Sequence, residues 1–281
     1  MSGHEPQHDL ARFAAAPFDA VADLCGDPTT AGLRALFAGN QYMALPELVA
    51  DFLKVHPDVG SVFYETLPPG IVVAQLRQGG LRMGSLELGF IPDVIAASPR
   101  ALNELHDDGL VGPPRGYASN VLALLVRAGN PTGIVAMTDL ARPGLRVALP
   151  DPLTEGIGRL ALRALSAAGG ERLHDEVFEV KRRSGQTVLT SIHHRQSPAW
   201  LVEGTTDVAV VWETEAHHLI ASGAPVELVP IDAAVNQRGQ YAAAVVTAAP
   251  HRAVAEGFLE HLTGAAGKAV YSRYGFTVEN Q

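Results

Sequence analysis

The 281-residue sequence predicts an α/β protein of two lobes, one inserted into the other and joined to it by two crossover strands. Three observations carry that reading. Short apolar strand segments alternate with segments of helical period, the pattern of a parallel sheet covered on both faces. Two apolar strands of like composition, Val121 to Val126 and Tyr241 to Val246, stand far apart in the chain. Between them lies a self-contained α/β segment, as expected of an inserted domain with a hinge and a cleft.

Composition agrees. With 47% hydrophobic and 18% charged residues the balance is that of a globular chain, long enough for two domains of ordinary size. No apolar run approaches the roughly 20 residues of a membrane span. The formal net charge of -9 argues against nucleic acid or an anionic membrane surface as partner. It does not exclude a small anion, which neutral N–H and O–H dipoles can hold in a closed site. A single cysteine, Cys25, rules out an internal disulfide and a cysteine metal cage, and reads as a small buried hydrophobe. Met1 to Asp9 show neither a basic n-region nor an apolar h-region. That fits either a cytoplasmic protein or a mature secreted chain with a start methionine added.

Residues 1–33, with Pro6, Pro17 and Pro28 and short periodicities at Phe13, Phe18, Val21 and Leu24, read as an extension wrapped on the core. Ala35 to Ala38 reads as a buried strand, Gly39 to Tyr42 as a loop, and Leu45, Leu48, Val49, Phe52 and Leu53 as one face of a helix with Pro46 in its first turn. A second strand, Ser61 to Tyr64, leads through Glu65, Thr66 and the rigid Pro68-Pro69-Gly70 loop into a helix over Ile71 to Arg77. Leu81 to Ile91 lacks a period and reads as a surface loop, after which Pro92 to Ala97 forms a third strand.

The most informative stretch is Leu145 to Gly170. Arg146 to Leu149 is a short strand stopped by Pro150 and Pro152, since proline has no ladder donor. Ile157, Leu160, Ala161, Ala164, Leu165 and Ala168 then recur at helical spacing, with Thr154 as N-cap and Gly169-Gly170 as terminator. Gly156 and Gly158 leave the first turn unshielded, so bare N–H groups and the positive end of the helix dipole favour an anion there. The bland alternative is that any strand-helix unit looks this way. Phe178 to Lys181, Thr187 to Arg195 and the strand Val208 to Trp212 continue the segment, and helices over Ala253 to Leu262 and Ala265 to Tyr271 close the chain at Tyr274-Gly275-Phe276.

The ordered set of Phe37-Ala38-Gly39-Asn40, Pro68-Pro69-Gly70, Pro92-Asp93-Val94, Asn130-Pro131 with Asp139-Leu140, Pro150 to Gly156, Asp207 to Ala216 and Tyr274-Gly275-Phe276 resembles the type II periplasmic solute-binding proteins. The match is closest to their molybdate- and tungstate-binding branch, and it covers about residues 34 to 280. The resemblance implies a two-lobe periplasmic-binding-protein type II fold. It places one lobe at 34–122 with 245–281 and the inserted lobe at 123–244. It also implies a non-enzymatic, monomeric component of an ABC-type uptake system, without cofactor, at the periplasm or cell surface and partnered by a membrane permease. In that family an oxyanion is held without a cation by hydroxyls and backbone amides at helix starts, plus one tyrosine. Carried over, the first loop falls on Asn40, Gln41 and Tyr42, the second on Pro69 and Gly70, the third on Thr154, Glu155 and Gly156, and the tyrosine on Trp212, with Thr66 a further candidate ligand residue just before the second loop. The family's first two serines appear here as Asn40 and as Pro69 or Gly70, so fewer hydroxyls surround the site.

Beside these the sequence places Thr187, His193, His194, Arg195 and Glu213. An arginine with neutral donors suits a carboxylate or other planar anion. Two histidines with Glu155, Glu213 or Glu215 suit a divalent metal or metal chelate, so a metal-binding protein or metal-dependent enzyme using His193, His194 and Glu215 stays open. The competing structural reading puts His193 and His194 on opposite sides of a strand, one buried and one solvated. His217 and His218 read as part of an exposed helix and Lys181 to Arg183 as a solvated turn, the alternative being that Lys181 or Thr187 reaches the cleft. No Gly-x-Ser-x-Gly elbow supports nucleophilic catalysis, and the acidic, proline-broken residues 1–33 argue against a transcription regulator.

Overall fold

The computed structural model describes residues 10–11, 22–83, 86–191 and 193–278. The periodicities at Phe13, Phe18 and Val21 lie outside these residues. The strands in order are β1 (Leu10–Ala11), β2 (Leu24–Cys25), β3 (Leu33–Ala38), β4 (Val62–Leu67), β5 (Leu81–Met83), β6 (Leu86–Leu88), β7 (Val94–Ala97) and β8 (Arg115–Arg127). They continue with β9 (Val147–Leu149), β10 (Thr187–Leu189), β11 (Val208–Trp212), β12 (Val226–Pro230) and β13 (Arg238–Val245). The helices are α1 (Leu45–Val55), α2 (Pro69–Gln78), α3 (Pro99–Asp107), α4 (Gly156–His174), α5 (Lys181–Arg183), α6 (Gln196–Val202), α7 (Glu213–Ala221), α8 (Arg252–Thr263) and α9 (Ala265–Arg273).

The fold is the two-lobe α/β architecture expected, with a sheet in each lobe. In one, the order is β1-β2-β4-β3-β7-β13-β8. In the other, β8 pairs with β11 and β12, and β9 lies between β11 and β10. Strand β8 belongs to both: Arg115 to Val121 pair with β13, and Leu122 onward with β11. The expectation of a wholly parallel sheet is corrected, because β13 runs antiparallel to both β7 and β8. A chain that crosses into a second lobe and returns must bring its crossover strands back in opposite senses. Both crossovers also begin earlier than their apolar stretches, since Arg115 and Arg238 open strands whose first residues reach solvent.

Each sheet is apolar on both faces, and the strands alternate accordingly. On β3, Leu33, Ala35 and Phe37 join a core with Phe52, Phe258 and Tyr271, while Leu36 points to Phe63 and Ile95 beneath. On β11, Val208, Val210 and Trp212 pack under α4 with Leu160 and Leu165, while Ala209 and Val211 meet Leu201 and Ala216.

Four further expectations are corrected. Leu81–Met83 and Leu86–Leu88 form the antiparallel pair β5-β6 rather than part of a loop. Residues 1–33 are not merely wrapped on the core, since Leu24–Cys25 pairs with β4 as part of the sheet. Lys181 is buried, and donates from Nζ to the carbonyls of Leu140 and Arg142 at 2.8 and 2.9 Å, which satisfies an ammonium that burial pulls down to about 8. The helix after Thr154 starts one residue later, with Glu155 in the N-cap position and Thr154 exposed. Gly169 and Gly170 do leave helical conformation, Gly170 at φ 66, but a second helical stretch follows directly on them.

Candidate functional site

The C-terminal ends of β3, β4, β9 and β11 carry the loops that face the gap between the lobes, where open α/β sheets bind ligands. A cavity of about 380 Å³ lies there. From the first lobe it is lined by Ala38, Gly39 and Asn40 after β3, by Pro69 at the start of α2, and by Ser98 and Arg100 at the start of α3. The second lobe supplies Glu155, Gly156 and Ile157 at the start of α4, with His194 and Trp212. Arg238 and Tyr241 of the crossover β13 form a further wall.

The helix start is built for an anion. Gly158 sits so close under the Pro150–Pro152 turn that a Cβ would lie 2.4 Å from the Pro150 carbonyl oxygen, so only glycine lets α4 begin here. Glu155 supplies no side-chain cap to the first turn. Its carboxylate is turned elsewhere: Oε1 accepts from Thr190 at 3.0 Å and Oε2 lies 2.8 Å from His194 Nδ1. The first-turn amides at Gly156 and Ile157 therefore keep their positive partial charge on the cavity side.

His194 is the second electrostatic feature. Its Nε2 lies 3.0 Å from Glu215 Oε1, so each ring edge faces a buried carboxylate. Burial disfavours the charged ring, but Glu215 and Glu155 outweigh it and push the imidazole up to about 10. The ring is a cation at neutral pH, at the wall of the cavity. Across from it, Asn40 Nδ2 donates to the Tyr241 hydroxyl, whose proton burial holds well above the usual phenol range. Asn120 Nδ2 donates to Thr214 Oγ1 at 2.8 Å, which ties the crossover strand β8 to the start of α7.

Of the residues singled out from sequence, Asn40, Pro69, Glu155, Gly156, His194 and Trp212 meet in this cavity. The others do not line it. Gln41 lies behind Asn40, its Oε1 accepting from the hydroxyls of Tyr117 and Tyr271, so it braces the loop. Tyr42 and Arg195 face a different cavity of about 610 Å³, where the guanidinium stacks 5.6 Å over the Tyr42 ring and pairs with buried Asp23 at 2.9 and 3.0 Å. Thr66 is buried, its hydroxyl 3.4 Å from Asp23 Oδ1. Gly70 approaches Thr154 across the cleft rim, a Cβ on it lying 4.0 Å from the Thr154 carbonyl oxygen. Thr187 is buried on β10, and Glu213 is partly exposed, 3.7 Å from His217.

The metal alternative finds no common point. His193 and His194 lie in the turn between β10 and α6, both buried, rather than on two sides of a strand. His193 Nδ1 accepts from the Arg195 amide at 3.1 Å. His194 meets Glu155 and Glu215 at opposite ring edges. Among the described residues, the ligand atoms that cluster within 4.8 Å of one another belong to Glu171, His174 and Asp175, none of which lines the cleft. Of the other histidine pair, His217 is exposed as expected, whereas His218 is half-buried against the Tyr42 ring.

Sequence reasoning missed Tyr241 and the arginines of the cavity, Arg100, Arg159, Arg163 and Arg238. Arg159 and Arg163 were findable, because they stand one turn apart on the helix whose start was already suspected.

A two-lobe fold with helix starts from both lobes on one cavity is the geometry of a solute binder, and a sequence profile decides it: that of the bacterial extracellular solute-binding proteins matches residues 33–277. The chain belongs to this family. The solute-binding protein is 26% identical over 211 residues to the molybdate-binding protein ModA of Mycobacterium tuberculosis H37Rv, covering 74% of each chain. It superposes on the sulfate-binding protein SubI from the same organism with a TM-score of 0.75 at 20% identity, over 88% of this chain and 86% of that one. The periplasmic molybdate-binding protein of Azotobacter vinelandii gives 0.69 at 19% identity, over 88% and 100%. The resemblance read from the sequence is borne out, and these structures support the two-lobe fold.

Proposed function

We propose that this solute-binding protein captures a small anion, an oxyanion or carboxylate, in the interlobe cavity and hands it unchanged to a membrane ABC permease. The observation that carries the reading is convergence. The uncapped start of α4 and the charged His194 from one lobe, and the Asn40–Tyr241 pair from the other, border the same cavity. The α4 amides and the Asn40–Tyr241 pair offer the donors that can take over an anion's hydration shell. His194, whose two N–H groups go to Glu155 and Glu215, holds the Glu155 carboxylate away from those amides. Relatives named for molybdate and sulfate support the same class of ligand.

On this reading Asn40, Gly156, Trp212 and Tyr241 bind the ligand, while Gln41, Thr190 and His194 position the groups that do. The lobes hinge where β8 changes partner at Val121–Leu122 and where β13 begins at Arg238. The protein acts as a monomer at the periplasm or cell surface. No helix among the described residues is long and apolar enough to cross a membrane, in keeping with delivery to a separate permease.

The test is a thermal-shift screen of tetrahedral oxyanions, small carboxylates and divalent metals, followed by small-angle scattering with any hit. A true ligand at a hundredfold its Kd adds about 2.7 kcal/mol of stability. Stabilisation by an anion is expected; stabilisation by none, or by a metal alone, would overturn the reading.

A further inference from the structure

Four arginines line the cavity, Arg100, Arg159, Arg163 and Arg238, against a single carboxylate, Glu155, which already pairs with His194. In a chain of formal net charge -9, with acidic residues outnumbering basic ones 30 to 21, such a concentration is not the default of the surface. Nor are these guanidiniums used up internally. Arg159 gives one bond to the Pro152 carbonyl and Arg238 one to the Ser119 hydroxyl. Arg100 pairs with the exposed Glu104 of its own helix, and Arg163 makes no hydrogen bond or ion pair among the described residues.

Size points the same way. A tetrahedral dianion fills the space of roughly three waters at about 30 Å³ each, about a quarter of the roughly 380 Å³ present. The excess is not that of a widely opened cleft, since a single methyl added to Gly70 would already come within 4.0 Å of the Thr154 carbonyl oxygen across its rim. The space left over adjoins Arg159 and Arg163, which project one and two turns along α4 from its anion-seating start. A planar guanidinium pair suits a carboxylate or phosphate in two-pronged contact.

We propose that the solute carries two separated anionic groups: a tetrahedral oxyanion head seated at the start of α4, and a carboxylate on a short carbon chain held by the arginines. The ligand class is then a small phosphorylated or sulfonated carboxylic acid rather than an inorganic oxyanion. This rests on the anion-binding reading of the cleft given above. It deepens that reading by assigning Arg159 and Arg163 the choice between one-group and two-group ligands.

Calorimetric titrations at fixed ionic strength distinguish the two claims. The probes are inorganic sulfate and phosphate, with one anionic group, and 3-phosphonopropionate, with two. The wild type is expected to bind 3-phosphonopropionate at least tenfold tighter than either inorganic ion. In the Arg159→Gln/Arg163→Gln double variant that advantage disappears, while the affinity for the inorganic ions moves less than threefold. A charge-matched double variant outside the cavity, Arg172→Gln/Arg183→Gln, keeps the advantage. Equal affinity for one-group and two-group probes, or an advantage that survives in the α4 variant or vanishes in the control, overturns the two-group proposal and leaves the anion site standing. Absence of binding by all three probes overturns the anion reading, and this inference with it.

Discussion

The indole of Trp212 lies directly on the backbone of Gly239: a Cβ added there would fall 2.4 Å from Cη2 and 2.9 Å from Cζ3 of the ring. The contact sets the end of β11 against the crossover strand β13 and holds the ring 6.2 Å from Tyr241, at the wall of the cavity. Gly239→Ala is expected to push the indole out, at an overpacking cost of about 1–3 kcal/mol. Anion affinity should fall at least tenfold, with a red shift in tryptophan emission. An unchanged spectrum with unchanged affinity would show that the ring is not held in this way.

His194 is held between two buried carboxylates, and removing its charge leaves them without a counter-ion. His194→Gln should cost about 3–5 kcal/mol in urea unfolding at pH 7. Its raised pKa sets the sign with pH. A cation bound more tightly in the folded state stabilises fully below its ordinary value of 6.5, and that contribution drains away as pH rises toward about 10. The stability gap between wild type and variant should therefore be wide at pH 6 and narrow at pH 10. A gap of constant size would contradict the assignment of charge.

Glu65 shows the opposite balance. Burial pushes its carboxyl up to about 7, although Gln75 Nε2 donates to it at 2.7 Å. Because the folded state holds this proton more tightly than the unfolded chain, stability falls as pH rises from about 4.5 to about 7. Glu65→Gln keeps an acceptor for Gln75 and removes the charge. It should be more stable than wild type at pH 8, by about 3 kcal/mol at most, and no more stable at pH 4.

Gly158 lets α4 start beneath the Pro150–Pro152 turn. Gly158→Ala puts a methyl within 2.4 to 2.7 Å of that backbone. Helix propensity alone would favour alanine by about 1 kcal/mol. A net loss of stability and of anion affinity is the expected result, and a gain in either would mean that the turn yields easily.

Much of this was legible in the chain because apolar periodicity and proline punctuation are local. The alternation on β3 and β11, the stop at Pro150, and the paired apolar stretches at Val121 and Tyr241 mark the two lobes directly. What was not legible depends on contacts between distant residues. Nothing near Thr154 tells that Glu155 turns away from its helix to meet His194 and Thr190, or that Arg195 reaches Asp23 instead of the cleft. Gln41 has the composition of a ligand donor, and only the distant Tyr117 and Tyr271 turn it into a brace. Lys181 reads as solvated beside Arg182 and Arg183, and its burial follows from two carbonyls some forty residues upstream. The family resemblance supplied loop positions, but it could not supply the arginines, which stand outside the loops it carries over.

Asn40 offers the most direct test of anion capture between the lobes. It is buried beside the cavity and bonded to a hydroxyl that can reverse its donor role, so Asn40→Asp keeps the Asn40–Tyr241 contact and adds one negative charge where the anion would sit. Titration calorimetry of sulfate, molybdate and phosphate into wild type and Asn40→Asp should show saturable one-site binding to the wild type. That binding should weaken at least a hundredfold in the variant, with unfolding temperatures alike. Equal affinity in the two proteins would place the anion elsewhere and contradict capture in this cleft.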